Sequence, residues 1–396
     1  MSRLISIVGG GMVGASLALA LQAGARQYGW QLQLIEAQPP RAGASQPSYD
    51  ARSTALSHGS RLLLERLGIW SALADRVEPI RNIHVSDRGH PGVTRMSAEG
   101  EGVPALGYVV ENAVLGEALL GALDHDLVSW QAPAQVTAVA ATPQGHQLSI
   151  VTEQSELQQQ ADLVVIADGG RSGLLEQLGI HRHTRPYGQT AIIANITTAA
   201  GHNGVAYERF TQSGPLALLP LSQGRSALVW TLPEAEADLV ATLPDDAFLA
   251  RLQEAFGYRM GALKKVGARY SYPLSLTESE EQVRSGLVIL GNAAHSLHPI
   301  AGQGFNLSLR DAMALADCLL GASTEQSPGD LRLLQRYLQQ QQADQRQTIA
   351  LSDWLTRLFS NQRPVLAAGR NLGLLGMDIV SPLKRVFARQ AMGLKG

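Results

Sequence analysis

One cysteine stands among 396 residues. Cys318 therefore excludes an intrachain disulfide and fits a reducing compartment. Its neighbours follow an apolar helical pattern, so a buried, inert thiol is expected rather than a nucleophile. Aromatic residues make up only 5% of the chain, and no basic run is interleaved with them, so stacking surfaces for nucleic-acid bases are not expected. A formal net charge of −2 gives no electrostatic argument for such a partner either. No apolar run approaches the roughly 18 residues of a membrane-spanning helix. The N-terminal run from Leu4 to Val8 is too short for a signal peptide and stops at glycines. A cytoplasmic chain is expected, with contact at a membrane surface left open. GxSxG and GxxxxGK[ST] are both absent, which argues against a hydrolase nucleophile elbow and a phosphate-transfer loop.

What is present begins at the N-terminus. Leu4-Ile5-Ser6-Ile7-Val8 is a short uncharged strand, followed by Gly9-Gly10-Gly11-Met12-Val13-Gly14 and then a helical run of small and apolar residues. Gly9 permits the turn. Gly11 lacks a Cβ that would hold a pyrophosphate away, and Gly14 lets the helix lie close on the strand. The helix start offers unpaired N–H groups and partial positive charge to phosphates. A second strand through Leu32 and Leu34 ends at Glu36, 22 residues after Gly14, where a carboxylate accepts both hydroxyls of an adenosine ribose. Strand, turn, helix, strand and acid in this order predict a dinucleotide site. The acid favours an unphosphorylated ribose, hence FAD or NAD rather than NADP.

Further along, residues 39–50 read as a loop, and a helix is expected from Arg52 through Leu62, Leu63, Leu67 and Trp70. Arg52 is either a surface arginine or a cofactor contact. The run from Ala161 to Ala167 is continuous and apolar, as in a strand covered on both faces, and ends at Asp168-Gly169-Gly170-Arg171-Ser172, where open α/β sheets bind ligands. Residues 187–275 change character to turn-separated, strand-like runs, which predict an inserted, largely antiparallel sheet, with a helix over 245–256. Leu287-Val288-Ile289-Leu290 returns to the α/β style and leads through Gly291-Asn292 and Pro299 to Gly302-Gln303-Gly304, before a helix with a buried face and Gly321 as its cap. His295 and His298 lie three apart, but no third ligand accompanies them, so a structural or pocket role is expected rather than a metal. Residues 361–396 carry Arg363, Arg370, Lys384, Arg385, Arg389 and Lys395 against Asp378, a local charge of +5 among apolar residues. That tail either packs on the body or rests on anionic lipid.

Three segments together resemble the flavoprotein aromatic hydroxylases of the para-hydroxybenzoate hydroxylase type. They are Ile7 to Gly14, Val165 to Ser172, and Gly291 to Asn306. Residues 83–89 and 208–217 look most like those of the ubiquinone-biosynthesis hydroxylases. The resemblance implies an α/β fold: a Rossmann-like FAD-binding domain over 1–345, with parts 1–79, 111–180 and 280–345. An inserted substrate sheet would occupy 80–110 and 181–279, and a C-terminal helical tail 346–396. By resemblance, Gly9, Gly11, Met12, Val13 and Gly14 hold the FAD pyrophosphate and Glu36 the ribose. Arg52 contacts the cofactor. Asp168 and Gly169 serve both FAD and the nicotinamide donor. Gly291 and Asn292 hold the ribityl chain, and Pro299, Gly302, Gln303 and Gly304 line the isoalloxazine. Two positions depart from the family: Asn292 stands for an aspartate and Leu175 for an arginine. The implied reaction uses NAD(P)H, bound transiently, and O2 to hydroxylate a polyprenylated phenol through a flavin hydroperoxide. Hydroxylation of another ring position or another aromatic, and a non-catalytic flavoprotein subunit, are the alternatives. No general base is identified, and other ubiquinone-biosynthesis proteins are candidate partners.

Overall fold

The computed structural model describes residues 3–38, 52–299, 302–359, 388–389 and 392–394. The 39–50 loop, Ile300, Ala301 and nearly all of the basic tail lie outside them. A six-stranded sheet forms the base, in the order 283–284, 287–289, 163–166, 3–8, 30–35, 128–131, parallel except for its first edge pair. Period-two alternation divides its apolar residues between two cores. Ile5, Ile7, Leu163, Val165 and Val288 face the helices Met12–Tyr28 and Gln303–Leu320. Val8, Ile35, Val164, Ile166 and Ile289 face an antiparallel meander of Ala134–Thr142, Gly145–Thr152 and Glu156–Ala161. Strands covered on both sides must be apolar throughout, which is why Leu163–Ile166 reads LVVI.

The inserted region forms eight strands of a nine-stranded sheet, whose ninth is His295–Ser296. Its pairings are antiparallel except that Val205–Thr211 runs parallel to Asn82–Asp87. Glu234–Ala241 and Asp245–Phe256 pack Ala237, Val240, Phe248 and Leu252 against its back around Trp230. Its other face turns toward the glycine turns of the first sheet. A small antiparallel sheet of Ser53–Ser57, Glu78–Ile80 and Gly107–Glu111 joins the two.

The helix expected from Arg52 starts only at His58. Ser53–Ser57 is a strand paired with Gly107–Glu111, and Ser57 caps the helix His58–Arg66 by accepting the Ser60 N–H at 3.1 Å. The helix that leads toward the tail is a single run, Leu331–Phe359. Cys318 is buried, donates to the Leu333 carbonyl at 3.3 Å, and burial pushes its thiol pKa up, as an inert thiol requires. Among the described residues no helix is long and apolar enough to cross a membrane.

Candidate functional site

The first glycine turn is fixed by contacts that leave no space for side chains. Gly9 has φ +106°, and a Cβ there would lie 2.6 Å from the Ala167 carbonyl. At Gly14 a Cβ would meet the Gly9 carbonyl oxygen at 2.0 Å, which is how the helix comes down onto the strand. Gly11 caps the helix with no side-chain hydrogen bond, so its first-turn N–H groups remain available to a ligand. Glu36 accepts the Gly10 N–H at 2.7 Å and the Gln38 N–H at 2.8 Å. Burial raises its pKa, and those two N–H groups pull in the opposite direction. Each carboxylate oxygen keeps a lone pair for a hydroxyl.

Three further bends close on the first. Asp168 accepts the N–H groups of Gly170 and Ser172, both at 2.8 Å, which fixes the bend after the Leu163–Ile166 strand. Gly291 has φ +65° and packs against Val13, with Asn292 exposed beside it. Gly302, at φ +61°, starts the Gln303–Leu320 helix without a side-chain cap. Buried Asn306 holds that start in place. It accepts the Ser57 N–H at 2.9 Å and donates to the carbonyls of Ala55 at 2.8 Å and Gly302 at 2.6 Å.

These turns line one end of a cavity of about 760 Å³, within the range of roughly 300–1,000 Å³ usual for small-molecule and cofactor sites. Gly9, Gly11, Met12, Val13, Glu36, Asp168, Gly169, Gly291, Asn292, Pro299, Gly302, Gln303 and Gly304 all reach it. Gly14 supports the turn from behind. Arg52 is not among the lining residues; its guanidinium lies 4.8 Å from the centroid of the Tyr272 ring.

The other end of the cavity is a wall of the nine-stranded sheet. One cross-strand row, Thr94, Val85, Glu208, Ala217, Val229 and Ile193, runs over five strand pairings, and every member lines the cavity. Met96, Ile83, Ala206 and Leu219 continue the apolar surface. Glu208 is the one carboxyl in this wall. Among the described residues it makes no hydrogen bond or ion pair, and desolvation raises its pKa to about 7. Sequence reading does not single it out. The available signal is the alternation Ala206, Glu208, Phe210, which places one acid on an otherwise apolar face.

His295 and His298 go to different places. His295 Nε2 lies 2.7 Å from Asp311 Oδ2, both nearly fully buried, and Gln341 and Gln345 donate to the same carboxylate at 3.2 and 3.0 Å. His298 packs edge-on to Tyr187, ring centroids 5.4 Å apart, and burial lowers its pKa to about 4. Among the described residues no three His, Cys, Asp or Glu side chains are grouped to hold a metal. Leu175 is buried in the core beneath the meander, away from the cavity.

Residues 3–352 match the family described as an FAD binding domain. Ubiquinone hydroxylase UbiL of Rhodospirillum rubrum is 38% identical over 394 residues, covering 98% of this chain and 89% of the relative. The 3-demethoxyubiquinol 3-hydroxylase of Escherichia coli K12 is 33% identical, covering 98% of each. Among solved structures, p-nitrophenol 4-monooxygenase PnpA of Pseudomonas putida DLL-E4 superposes with a TM-score of 0.79 at 16% identity, covering 100% of both chains, a likeness of fold.

Proposed function

The chain belongs to the FAD-binding-domain family, and on that premise we propose how its cavity serves an FAD-dependent aromatic hydroxylase. The substrate we assign is a polyprenylated methoxyphenol, converted to the corresponding benzoquinol in ubiquinone biosynthesis, with NAD(P)H and O2 consumed. This is the activity of the 2-polyprenyl-6-methoxyphenol hydroxylases. The names of the full-length relatives support the pathway.

The observation that carries the reading is one cavity with two unlike ends. Glycine turns lie at one end, and a mainly apolar cross-strand row lies at the other. FAD fits the first end, since a Cβ at Gly9 or Gly14 would break the turn that presents the helix start. When bound, FAD supplies hydride acceptance and oxygen activation. Gly9, Gly11, Met12, Val13 and Gly14 would hold its pyrophosphate and Glu36 its ribose. Asp168 and Gly169 would order the turn beside it, and Gly291 and Asn292 would take the ribityl chain. Pro299, Gly302, Gln303 and Gly304 would line the isoalloxazine, and Arg52 would contact the cofactor from the start of the Ser53–Ser57 strand. The apolar wall would exclude water and orient the ring of the phenol. The charge of the 361–396 stretch supports peripheral contact with an anionic membrane that holds such a substrate.

The test is incubation of the yellow holoprotein with NAD(P)H, air and a prenylated methoxyphenol, with the product located by mass and NMR. Hydroxylated phenol is the expected product; NAD(P)H consumption without it would remove the substrate assignment. The Escherichia coli relative is named for the 3-position, which favours a second reading with oxygen added at another ring carbon. The same NMR spectrum separates the two.

A further inference from the structure

We propose that Glu208 is the catalytic residue that accepts the phenol proton of the substrate as oxygen is added to the ring. The proposal rests on the hydroxylase reading above.

A carboxyl in an apolar wall is costly unless something satisfies it. Glu208 has no such partner among the described residues. Its backbone is paired on both sides, to Val85 and to Ala217, so the strand holds it at a fixed height in the wall. Its immediate neighbours along the row, Val85 and Ala217, cannot hydrogen-bond through their side chains, and Thr94, beyond Val85, is the one hydroxyl in the row. Glu208 also borders a small crevice with Pro299 and His298, which places it beside the segment proposed to hold the flavin ring. A phenol lying on this row therefore finds one carboxylate, next to that segment.

The protons balance as follows. The phenol O–H breaks and its proton passes to the Glu208 carboxylate while a ring carbon–oxygen bond forms, leaving a dienone. The carboxylic acid returns that proton to the dienone oxygen as the ring C–H proton leaves to solvent and the ring becomes aromatic again. Glu208 gains no net proton; NAD(P)H supplies two electrons, the O–O bond of O2 breaks, one oxygen atom enters the ring and the other leaves as water.

The surroundings set its titration near the working pH. Burial raises the Glu208 pKa to about 7, where a base is most effective. His298, across the crevice, has its pKa lowered to about 4 and is neutral in this range. Arg209 follows on the strand and, by alternation, points to the opposite face, where Arg95 and His84 also lie. Glu36, Asp168 and Arg171 line the far end of the cavity. The rate should therefore fall as pH drops through about 7, as the carboxylate is lost.

The experiment compares wild-type, Glu208→Gln and Glu208→Asp holoenzymes. It uses flavin absorbance, binding of 2-methoxyphenol followed by the flavin spectrum, and the pH profile of kcat/KM for hydroxylation. Glutamine still accepts a hydrogen bond but takes no proton. Glu208→Gln should keep its flavin and bind the probe within about threefold. At pH 8 its hydroxylation should fall at least about 100-fold, within the usual range for loss of a general base, and its acid limb should vanish. Glu208→Asp should retain the limb at a reduced rate. A Glu208→Gln enzyme within twofold of wild type, or with an unchanged limb, would overturn the proposal, as would loss of flavin from it. A wild-type enzyme that hydroxylates no methoxyphenol would bring down the functional reading and this proposal together.

Discussion

Glu36 and Glu208 line the same cavity, and both have raised pKa values because burial penalises their charge. Their partners separate them. Two backbone N–H groups fix Glu36 as an acceptor, whereas Glu208 has no such partner among the described residues. The titration of Glu208 has a consequence for stability. Its folded pKa, about 7, lies above the ordinary 4.5, so stability is fully present below 4.5 and falls as pH rises toward 7. His298 has the opposite sign: its folded pKa of about 4 lies below 6.5, so stability is fully present above 6.5 and falls as pH drops toward 4. Between about 4.5 and 6.5 the two slopes oppose. Glu208→Gln should expose the His298 slope, a loss of up to about 1.4 kcal/mol per pH unit on acidification. Urea unfolding at several pH values and fixed FAD checks this; identical slopes in wild type and variant would contradict it. Gly14→Ala drives a methyl into the Gly9 carbonyl, so the purified protein should lose most of its flavin absorbance. A fully yellow variant would show that the turn tolerates displacement.

At the scale of elements, buried Asp311 ties together three pieces of chain. From the Gln303–Leu320 helix it meets His295 on the preceding turn and Gln341 and Gln345 on the Leu331–Phe359 helix. Asp311→Ala leaves buried His295 and Gln341 without this partner, while Gln345 keeps Gln282. It should cost about 2–6 kcal/mol, at roughly 1–3 kcal/mol for each of two typical unsatisfied groups. FAD affinity should weaken with it, since that helix starts at the cavity. A urea midpoint and an FAD titration measure both, and an unchanged midpoint would contradict the account. Elements also explain what the sequence reveals. The first glycine turn is legible because its strand, helix, second strand and acid are contiguous through Glu36. Asp245–Phe256 is legible because its apolar spacing is local. Ser53–Ser57 is not, because its strand state comes from pairing with the distant Gly107–Glu111. Glu208 is hidden for the same reason: its meaning arises only when separate strands bring apolar neighbours alongside it.

In the whole molecule two sheets of different topology line one cavity, and the proposed function puts flavin against the glycine turns and phenol against the nine-stranded wall. Hydroxylation needs both occupants within reach of each other, and neither sheet alone supplies both surfaces. The most direct measurement is a crystal structure of the holoprotein with 2-methoxyphenol bound. The account predicts the FAD pyrophosphate at the Gly9 to Gly14 turn and the ring beside Pro299 and Gly302 to Gly304. The phenol oxygen should lie within hydrogen-bonding distance of Glu208. Flavin bound elsewhere, or a phenol seated away from the Val85 to Ile193 row, would contradict it.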